Sequence, residues 1–294
     1  MPYTRALIEI CNKVKPLLKW AGGKRQLLPY LILNIPEKFS VYYEPFAGGL
    51  ALLLELYNSG RLKRALISDV NPDLIELYKL IKNRSYDIIE ELQNMKFKNK
   101  EDDYYRARDL YNSLDTRENP EKAALMIYLN RHSYNGLYRV NSSGRFNVPF
   151  GRYSNPSMPS AETITSFSRS LRNVEILNQD FESAVSKATE NDFVYFDPPY
   201  DPVSRSSNFT SYSSGGFDPE QQIRLSSVFK EVSDRGSNVM ESNSDSPLIY
   251  GLYRNYRISR IKARRNINSL PAGRGEIGEL IVTNYDPDKT PLQG

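Results

Sequence analysis

The amino-acid sequence predicts an α/β protein in which a parallel sheet carries helices on its faces and is split by an inserted module. Two observations lead to this prediction. Short apolar segments typical of buried strands alternate with segments of helical periodicity, the order expected of βαβ units. Residues 83–165 interrupt this order with charged, Tyr-rich helical patterns and a hairpin. We therefore expect one domain made of residues 1–82 and 166–294, with residues 83–165 as an insert.

The first strands and helices follow one another closely along the chain. Residues 41–46 (VYYEPF) favour a short strand, and residues 48–60 favour a helix that ends at Gly60. Residues 64–70 (RALISDV) favour a second strand, after which Pro72 begins a helix with apolar residues at helical spacing. This order of strands and helices is the one that builds a parallel sheet.

The insert and the second half of the chain show different patterns. Residues 84–133 favour helices, and the alternation on either side of Ser143-Gly144 favours a β-hairpin within residues 134–153. Strand patterns then return and resume the sheet. They cover residues 174–177, 193–197, 237–243, 256–261 and 279–285.

Composition excludes several classes of site and partner. With one Cys and one His in 294 residues, the chain has no disulfide framework and cannot build a zinc site from Cys and His alone. We expect no metal, although carboxylate-rich sites stay open. Apolar stretches such as residues 50–54 are far too short to span a membrane, so we expect a cytoplasmic protein with no membrane partner. The net charge of +4 is compatible with a polyanionic partner without demonstrating one. The 21 Tyr residues favour ring contacts, and a compositional bias explains them equally well.

The first motif with chemical meaning is EPFAGG (44–49), at the end of the first predicted strand. Glycines at a strand-to-helix turn let the backbone approach a ligand closely, and ligands of open parallel sheets bind at such turns. The next strand ends at Asp69, whose carboxylate is placed to accept hydrogen bonds from ribose hydroxyls. From these residues alone, nucleoside binding and an ordinary Gly-Gly turn remain equal alternatives.

The second motif is DPPY (197–200), which follows the apolar segment 193–196. The two prolines fix the backbone and remove two N–H donors, so the turn is rigid and presents carbonyl acceptors. Asp197 and a neighbouring carbonyl can then receive both hydrogens of an exocyclic amine, which makes its nitrogen nucleophilic, while Tyr200 offers a flat face to a planar base. The alternative is a rigid turn in which Asp197 only caps the backbone.

These two motifs and six others occur in the order typical of one family. The chain resembles the Dam-type DNA adenine-N6 methyltransferases, which methylate GATC sites and use S-adenosylmethionine, over residues 18–285. The resemblance implies a Rossmann-like S-adenosylmethionine-dependent methyltransferase sheet with an inserted helical and β-hairpin DNA-recognition module. It implies methyl transfer to the N6 amine of a flipped-out adenine, with double-stranded DNA as the partner and a restriction endonuclease as a possible functional pair. The motifs are LKWAGGK (18–24), EPFAGG (44–49), SDVNPDLI (68–75), NGLYRVNSSGRFNVPFGRY (135–153), QDF (179–181), DPPY (197–200), FTSY (209–212) and ELIVTNY (279–285).

The resemblance also implies a role for individual residues. It assigns catalysis to a turn that binds and stacks the target adenine, which is formed by Asp197, Pro198, Pro199 and Tyr200. It assigns binding of the methyl donor to Trp20, Lys24, Phe46, Gly48, Gly49, Asp69, Asp180 and Asp197. It assigns DNA contacts to Lys19, Tyr134, Asn135, Leu137, Arg139, Pro149 and Tyr212, with Phe209 and Thr210 in the same loop as Tyr212.

Residue chemistry agrees with several of these roles. Lys24 suits a point charge against the donor's carboxylate. Asp180 either accepts from the donor's adenine amine or caps the next helix, and both roles are compatible. Arg139 suits a guanine edge, and Leu137 and Pro149 suit a thymine methyl group.

Two segments carry positive charge without any acid. Residues 130–152 hold four Arg interleaved with aromatic residues, which suits a DNA-binding surface, although a solvated hairpin is the alternative. Residues 254–265 hold six Lys or Arg. Phosphate contact and a basic edge strand protected from aggregation explain this second segment equally well.

The chain departs from the family at two positions, and some alternatives stay open. Leu50 stands where relatives usually have a small residue, and Glu241 stands where they carry an apolar one. Cys11 lies in no Pro-Cys context, and we expect His132 to be structural or to contact phosphate. Methylation of cytosine N4, for which relatives tend to replace the DPPY Asp with Ser, methylation of adenine at another site or in RNA, and a catalytically silent DNA-binding subunit remain alternatives.

Overall fold

The computed structural model describes residues 13–20, 24, 27–201, 217–264 and 276–287. Its strands form one sheet and are β1 Tyr42–Glu44, β2 Ala65–Ser68, β3 Val174–Leu177, β4 Phe193–Phe196, β5 Asn238–Ser244, β6 Arg257–Arg264 and β7 Glu276–Thr283. Their order is β3-β2-β1-β4-β5-β7-β6. β1 is parallel to β2 and β4, and β4 is parallel to β5, whereas β7 is antiparallel to β5 and β6. The predicted α/β, Rossmann-like fold class is confirmed.

Local sequence explains where most of the helices begin. The helices of the described residues are α1 Leu28–Leu33, α2 Ala51–Asn58, α3 Pro72–Asn94, α4 Glu101–Ser113, α5 Pro120–His132, α6 Ala161–Ser170, α7 Phe181–Ala184, α8 Pro219–Asp234 and α9 Pro247–Leu252. In α3, α5, α8 and α9 a proline follows a capping Asn, Asp or Ser whose side chain accepts from a backbone N–H of the first turn. Helix α3 is kinked at Arg84.

The chain forms two compact units, which we call the first and the second unit. The first comprises Met1–Gly23, Gly48–Leu62 and Asn71–Ile176. The second comprises Lys24–Ala47, Lys63–Val70 and Leu177–Gly294. The predicted insert at 83–165 falls within the first unit, and its boundaries stay a prediction.

The strands of the second unit show why a parallel sheet produces continuous apolar segments. All four residues of β4 (FVYF) are buried, as expected for a strand covered on both faces. Strand β5 is different, because its buried residues include Glu241, Ser242, Asn243 and Ser244. The core around these strands is closed by α7, α8 and α9, which contribute Phe181, Phe229 and Ile249 among others.

The predicted hairpin of the first unit forms as a tight turn without regular strands. Two isolated antiparallel bridges, Ser133–Phe150 and Val140–Phe146, hold its arms. Gly144 has a φ of +72°, which the turn requires. No helix in the described part of the chain is long and apolar enough to cross a membrane.

Candidate functional site

The proposed catalytic residues of the second unit follow the ends of neighbouring parallel strands. Phe46 follows β1, Asp69 follows β2, and Asp197 follows β4. Because β2, β1 and β4 are adjacent in the sheet, their carboxyl ends lie at the same edge. The fold therefore places the two motifs side by side.

Asp197 is bound by a cation and by a hydroxyl. The Lys24 ammonium nitrogen lies 2.7 Å from Oδ1 of Asp197, and the Ser242 hydroxyl donates to the same oxygen at 3.0 Å. Lys24 is buried, and Asp197 is largely so. Burial raises the pKa of Asp197 above its usual value, and Lys24 and Ser242 act in the opposite direction. The carboxylate is thus an acceptor in a poorly solvated place, with its charge balanced by Lys24.

Lys24 also contacts Tyr200, the last residue of the DPPY turn. Its ammonium group donates to the Tyr200 hydroxyl at 2.6 Å and lies 4.0 Å from the ring centroid. The hydroxyl in turn donates to Oε2 of Glu279 at 3.1 Å. Burial, and then the negative charges of Asp197 and Glu279, raise the pKa of Tyr200, so it is a neutral phenol. The predicted contact of Lys24 with a donor carboxylate stays a prediction.

Asp180 takes the capping position that the sequence offered as an alternative. It is the N-cap of α7 and accepts from the Ser183 N–H at 3.0 Å. It also forms an ion pair with Arg224 of α8. Burial alone would raise the pKa of Asp180, but the bonds from Arg224 and Ser183 hold it below its usual value. Asp180 is therefore an ionised acceptor, and a role in donor binding stays a prediction.

An aromatic cluster surrounds Phe46 in the second unit. Its ring stacks on Phe181, with ring centroids 5.4 Å apart, and meets Phe217 edge to face at 5.6 Å. At the next strand end, the Asn178 side chain donates to the Asp69 backbone carbonyl at 2.8 Å. The side chain of Val70, which follows Asp69, is 72% exposed. These positions combine an apolar surface with a carboxylate, the chemistry needed for a nucleoside.

The glycine turn before α2, in the first unit, approaches Trp20 closely. A Cβ atom on Gly49 would lie 3.2 Å from Cβ of Trp20, so a side chain there would crowd the tryptophan. The Gly48 carbonyl accepts from the Tyr78 hydroxyl at 2.5 Å. Leu50 is the N-cap of α2, with a φ of +58° and no exposed surface. The leucine that stands where the family usually has a small residue is thus packed in the core, with a left-handed backbone conformation that is unusual for leucine.

Within the first unit, Asn130 connects Lys19 of the LKWAGGK motif to Gly136 of the predicted DNA-contacting hairpin. Its carbonyl oxygen accepts from the Lys19 N–H, and its amide group donates to the carbonyls of Lys19 and Gly136, all at 2.7 to 2.9 Å. Gly136 has a φ of +63°, and a Cβ there would lie 2.4 Å from Cβ of Lys19. Only glycine fits this close approach.

Other predicted DNA-contacting residues lie near Lys19 and Gly136. The Tyr134 N–H donates to the Pro149 carbonyl at 2.9 Å, which ties the two ends of the hairpin together. Asn135 has a φ of +55°, and its N–H donates to the Tyr153 hydroxyl at 2.9 Å. The Lys19 ammonium group lies 4.5 Å from the centroid of the same Tyr153 ring. The structure therefore brings together Lys19, Tyr134, Asn135 and Pro149.

Arg139 lies on one arm of the hairpin and is exposed. Its Nε donates to Oδ1 of Asn147 on the other arm at 2.8 Å, and Asn147 N–H donates back to the Arg139 carbonyl at 3.0 Å. This pairing orients the guanidinium group from one side. Leu137 on the same arm is half-buried.

Asp73 anchors the hairpin to the rest of the first unit, and sequence reasoning did not single it out. It accepts from the hydroxyls of Tyr111, Thr116 at 2.5 Å and Tyr138 at 2.9 Å. The Lys122 ammonium nitrogen lies 3.5 Å away. Burial would raise the pKa of Asp73, but these hydroxyls and Lys122 lower it. Because Tyr138 lies between Leu137 and Arg139, Asp73 holds the arm that carries both.

Tyr138 also stacks on Trp20, with ring centroids 5.7 Å apart. The only sequence signal for Asp73 was its place in the SDVNPDLI motif. No local signal identified Asn130 or Ser242, and the only signal for Glu279 was its place in the ELIVTNY motif.

Other sequence-based interpretations have clear outcomes. His132 is buried, its Nδ1 lies 2.8 Å from the Tyr128 carbonyl, and burial lowers its pKa, so it is structural. In the basic segment 254–265, Arg257 pairs with Asp286 and Arg260 with Asp245, and β6 is an edge strand. Phosphate contact and protection of an edge strand both stay predictions for this segment. Cys11, Phe209, Thr210 and Tyr212 lie outside the described residues, as do Ala21, Gly22 and Gly23 of the first motif.

Comparison with known proteins gives consistent matches over nearly the whole chain. The family model described as D12 class N6 adenine-specific DNA methyltransferase matches residues 20–267. A Lactococcus lactis subsp. cremoris protein named Type II methyltransferase M1.LlaDCHI is 45% identical over 280 residues, which cover 93% of this chain and 97% of that protein. The Type II methyltransferase M.MjaIII of Methanocaldococcus jannaschii is 39% identical over 288 residues, covering 93% and 100%. The DNA adenine methylase of Escherichia coli strain K12 is 34% identical over 278 residues, covering 94% and 97%.

Proposed function

Because the chain belongs to the D12 class of N6 adenine-specific DNA methyltransferases, we propose that it methylates adenine N6 within GATC in double-stranded DNA, with the target base flipped out of the helix. The observation that carries the proposal is the environment of Asp197. A carboxylate at the end of a central parallel strand is paired with a buried Lys and followed by a rigid Pro-Pro turn. Such an acceptor suits an exocyclic amine.

The DPPY turn acts on the amine through fixed acceptors. We assign one N6 hydrogen to Asp197 and the other to a carbonyl of the turn. Lys24 and Ser242 both contact Oδ1 of Asp197, so we assign the amine to Oδ2. Accepting both hydrogens draws the nitrogen lone pair away from the ring and makes it nucleophilic. Since the acceptors are already in place, little reorganisation accompanies the reaction.

Lys24 has two consequences for this site. Its charge lowers the pKa of Asp197 and so opposes the effect of burial, which raises it. Its ammonium group also lies 4.0 Å from the centroid of the Tyr200 ring, against which we expect the adenine to stack.

The methyl donor implied by the family is S-adenosylmethionine, which supplies an electrophilic methyl group on a sulfonium when it is bound. The residues present fit such a ligand. In the second unit, Phe46 offers an aromatic surface, and the Asp69 and Asp180 carboxylates offer acceptors for ribose and adenine. In the first unit, the crowding of Gly49 against Trp20 shows a backbone that approaches closely only because no side chain intervenes. We assign donor binding to these residues, to Gly48 and to Lys24.

Site choice is assigned to the first unit. The hydrogen bonds of Asn130 hold Lys19 beside residues 134–136. The hydrogen bond from Tyr138 to Asp73 holds the arm of the hairpin that carries Arg139. We propose that Lys19 and Arg139 read guanine edges, and that Leu137 and Pro149 contact a thymine methyl group. The exposure of Arg139 and its orientation by Asn147 support this role. Tyr134, Asn135 and Tyr212 are assigned to further DNA contacts.

The proposal is tested on plasmid DNA that carries no adenine methylation. The DNA is incubated with the protein and labelled methyl donor, then digested with one endonuclease that is blocked by adenine methylation in GATC and with one that is not. We expect label in N6-methyladenine and protection from the first endonuclease only. Label in N4-methylcytosine would refute the base assignment, and label in adenine without protection would refute GATC.

The variant Asp197→Ala serves as the control for this assay and should transfer no label. Two of the similar proteins are named Type II methyltransferases, which favours a partner endonuclease of the same site preference.

A further inference from the structure

The end of strand β5 lies beside the DPPY turn and is polar although it is buried. Glu241, Ser242 and Asn243 have no exposed surface, and Ser244 is 1% exposed. Polar groups buried in a central strand are normally bonded. Ser242 binds the Asp197 carboxylate, and the Ser244 hydroxyl donates to the carbonyl of Asp201, the residue after the turn, at 2.7 Å. The end of β5 is therefore bonded to both ends of the turn.

A chain of three hydrogen bonds leads from Glu241 to the turn. The Asn243 amide nitrogen donates to Oε1 of Glu241 at 2.9 Å and to Oε1 of Gln222 at 3.0 Å. The Gln222 amide nitrogen then donates to the Pro199 carbonyl at 3.0 Å. Gln222 lies on α8 and has no exposed surface. We call Glu241, Asn243 and Gln222 the amide relay.

The relay has a direction, which Glu241 sets together with the Ser244 N–H, because that N–H donates to the Asn243 oxygen at 2.8 Å. An amide side chain donates at one end and accepts at the other. Because Glu241 accepts, Asn243 has to present its amide nitrogen there, and its oxygen then accepts from the N–H of Asp201 at 3.4 Å. Gln222 has to present its oxygen to Asn243, so its nitrogen faces the Pro199 carbonyl.

We propose that Glu241 is a positioning residue that holds the turn at residues 197–201 in the conformation that binds the adenine amine, by orienting Asn243 and Gln222. The inference rests on the proposed role of the turn. It also accounts for a carboxylate at a position where an apolar residue was expected from the family. An apolar residue at 241 would leave the buried Asn243 amide with one of its two acceptors, Gln222, and would weaken the restraint on both amides.

The relay needs an acceptor at position 241, and a negative charge is not required. Oε1 of a carboxyl group accepts in either protonation state, and burial raises the pKa of Glu241 to about 7. The groups that face it are Asn243, the Tyr253 hydroxyl and the Asp197 carboxylate. Oε2 of Glu241 and the Tyr253 hydroxyl are both buried without a hydrogen bond in the described residues. A Gln at 241 keeps the acceptor and adds a donor that suits Tyr253.

Paired variants separate this role from a merely structural one. In the full-length protein, Glu241→Leu should lower kcat by about ten- to hundredfold with little change in KM for either substrate, because a displaced turn acts on the transition state. Glu241→Gln should restore kcat to within about twofold of wild type. A Glu241→Leu variant that is folded and keeps the wild-type kcat would overturn the proposal, as would a Glu241→Gln variant as slow as the Leu variant.

A second pair of variants covers the case in which Glu241→Leu does not fold. Gln222→Met removes the donor to the Pro199 carbonyl at nearly constant volume, and should lower kcat to the same degree. Gln221→Met makes the same change one residue earlier on α8, at a side chain that contacts Arg224 instead of the relay, and should keep the wild-type kcat. Equal rates for the two variants would contradict the relay.

A spectroscopic readout tests the relay without reference to activity. The side-chain amide protons of Asn243 and Gln222 should exchange slowly with solvent in the wild type and in Glu241→Gln, and rapidly in Glu241→Leu. The Gln222 signals are assigned by their loss in Gln222→Met. Rapid exchange in the wild type would refute the relay even if the protein methylates DNA. Failure of the wild type to methylate adenine, with slow exchange, would instead refute the proposed function and leave the relay intact.

Discussion

The substitution Glu241→Gln should remove a pH dependence of stability that the fold imposes. Glu241 has no exposed surface, and burial raises its pKa from an ordinary 4.5 to about 7. Between these two values the native state keeps its proton while the unfolded chain loses one, so stability falls as the pH rises. The stabilising effect of the proton is fully present below about pH 4.5 and is lost as the pH passes through about 7.

The size of the effect follows from the shift in pKa. Each pKa unit corresponds to about 1.4 kcal/mol, so the whole effect is roughly 3 kcal/mol, most of which falls between pH 5 and pH 8. A Gln side chain does not titrate and escapes this loss. Glu241→Gln should therefore gain roughly 2–3 kcal/mol relative to wild type when the pH is raised from 5 to 8.

Urea unfolding of both proteins at pH 5 and pH 8 measures this gain directly. Glu175→Gln is the matched control, because it removes a carboxylate that is exposed on β3. The same stability difference between Glu241→Gln and wild type at both pH values would refute the reasoning. So would an equal gain in the Glu175 variant.

Three further predictions concern the proposed site. Asp197→Ala should abolish methylation, while its affinity for DNA, measured by fluorescence anisotropy, stays within about threefold of wild type. Because burial raises the pKa of Asp197, the wild-type kcat should also fall toward low pH with an apparent pKa above 3.8. A kcat that stays constant down to pH 4 would contradict this assignment. Arg139→Ala should cost about 1–3 kcal/mol of discrimination at one guanine of the site, measured as kcat/KM on substituted duplexes, and unchanged discrimination would exclude Arg139 as a reader. Asp73→Asn should destabilise the fold by about 1–3 kcal/mol in urea unfolding, since three hydroxyls lose a charged acceptor, whereas Asp102→Asn on the exposed face of α4 should have little effect.

The contacts of the tyrosine side chains bear on the two explanations for the high number of Tyr residues. The sequence left ring contacts with bases and a compositional bias as equal explanations. In the structure, several Tyr side chains join distant segments through their hydroxyls, as Tyr104 does to the Val148 carbonyl and Tyr128 to the Lys98 carbonyl. Tyr138 combines both kinds of contact, with its hydroxyl on Asp73 and its ring on Trp20. Much of the tyrosine excess is thus structural.

The sequence alone determined the features that depend on local order in the chain. Strand and helix periodicity gave the α/β fold, and strand ends followed by EPFAGG, Asp69 and DPPY gave the edge of the sheet at which the site lies. Side-chain period and turn chemistry are properties of a few adjacent residues, so they are readable without the fold. The tight turn at Gly144 was predictable for the same reason.

Only the tertiary structure decided which polar groups serve these motifs. Asn130 binds Lys19 across 111 positions, and Lys24 binds Tyr200 across 176. Glu241 has no explanation in the sequence. In the structure, hydrogen bonds connect it through Asn243 and Gln222 to the Pro199 carbonyl. The physical reason is that a buried polar group has to find a partner wherever the folded chain supplies one, and its distance along the sequence carries no information about that partner.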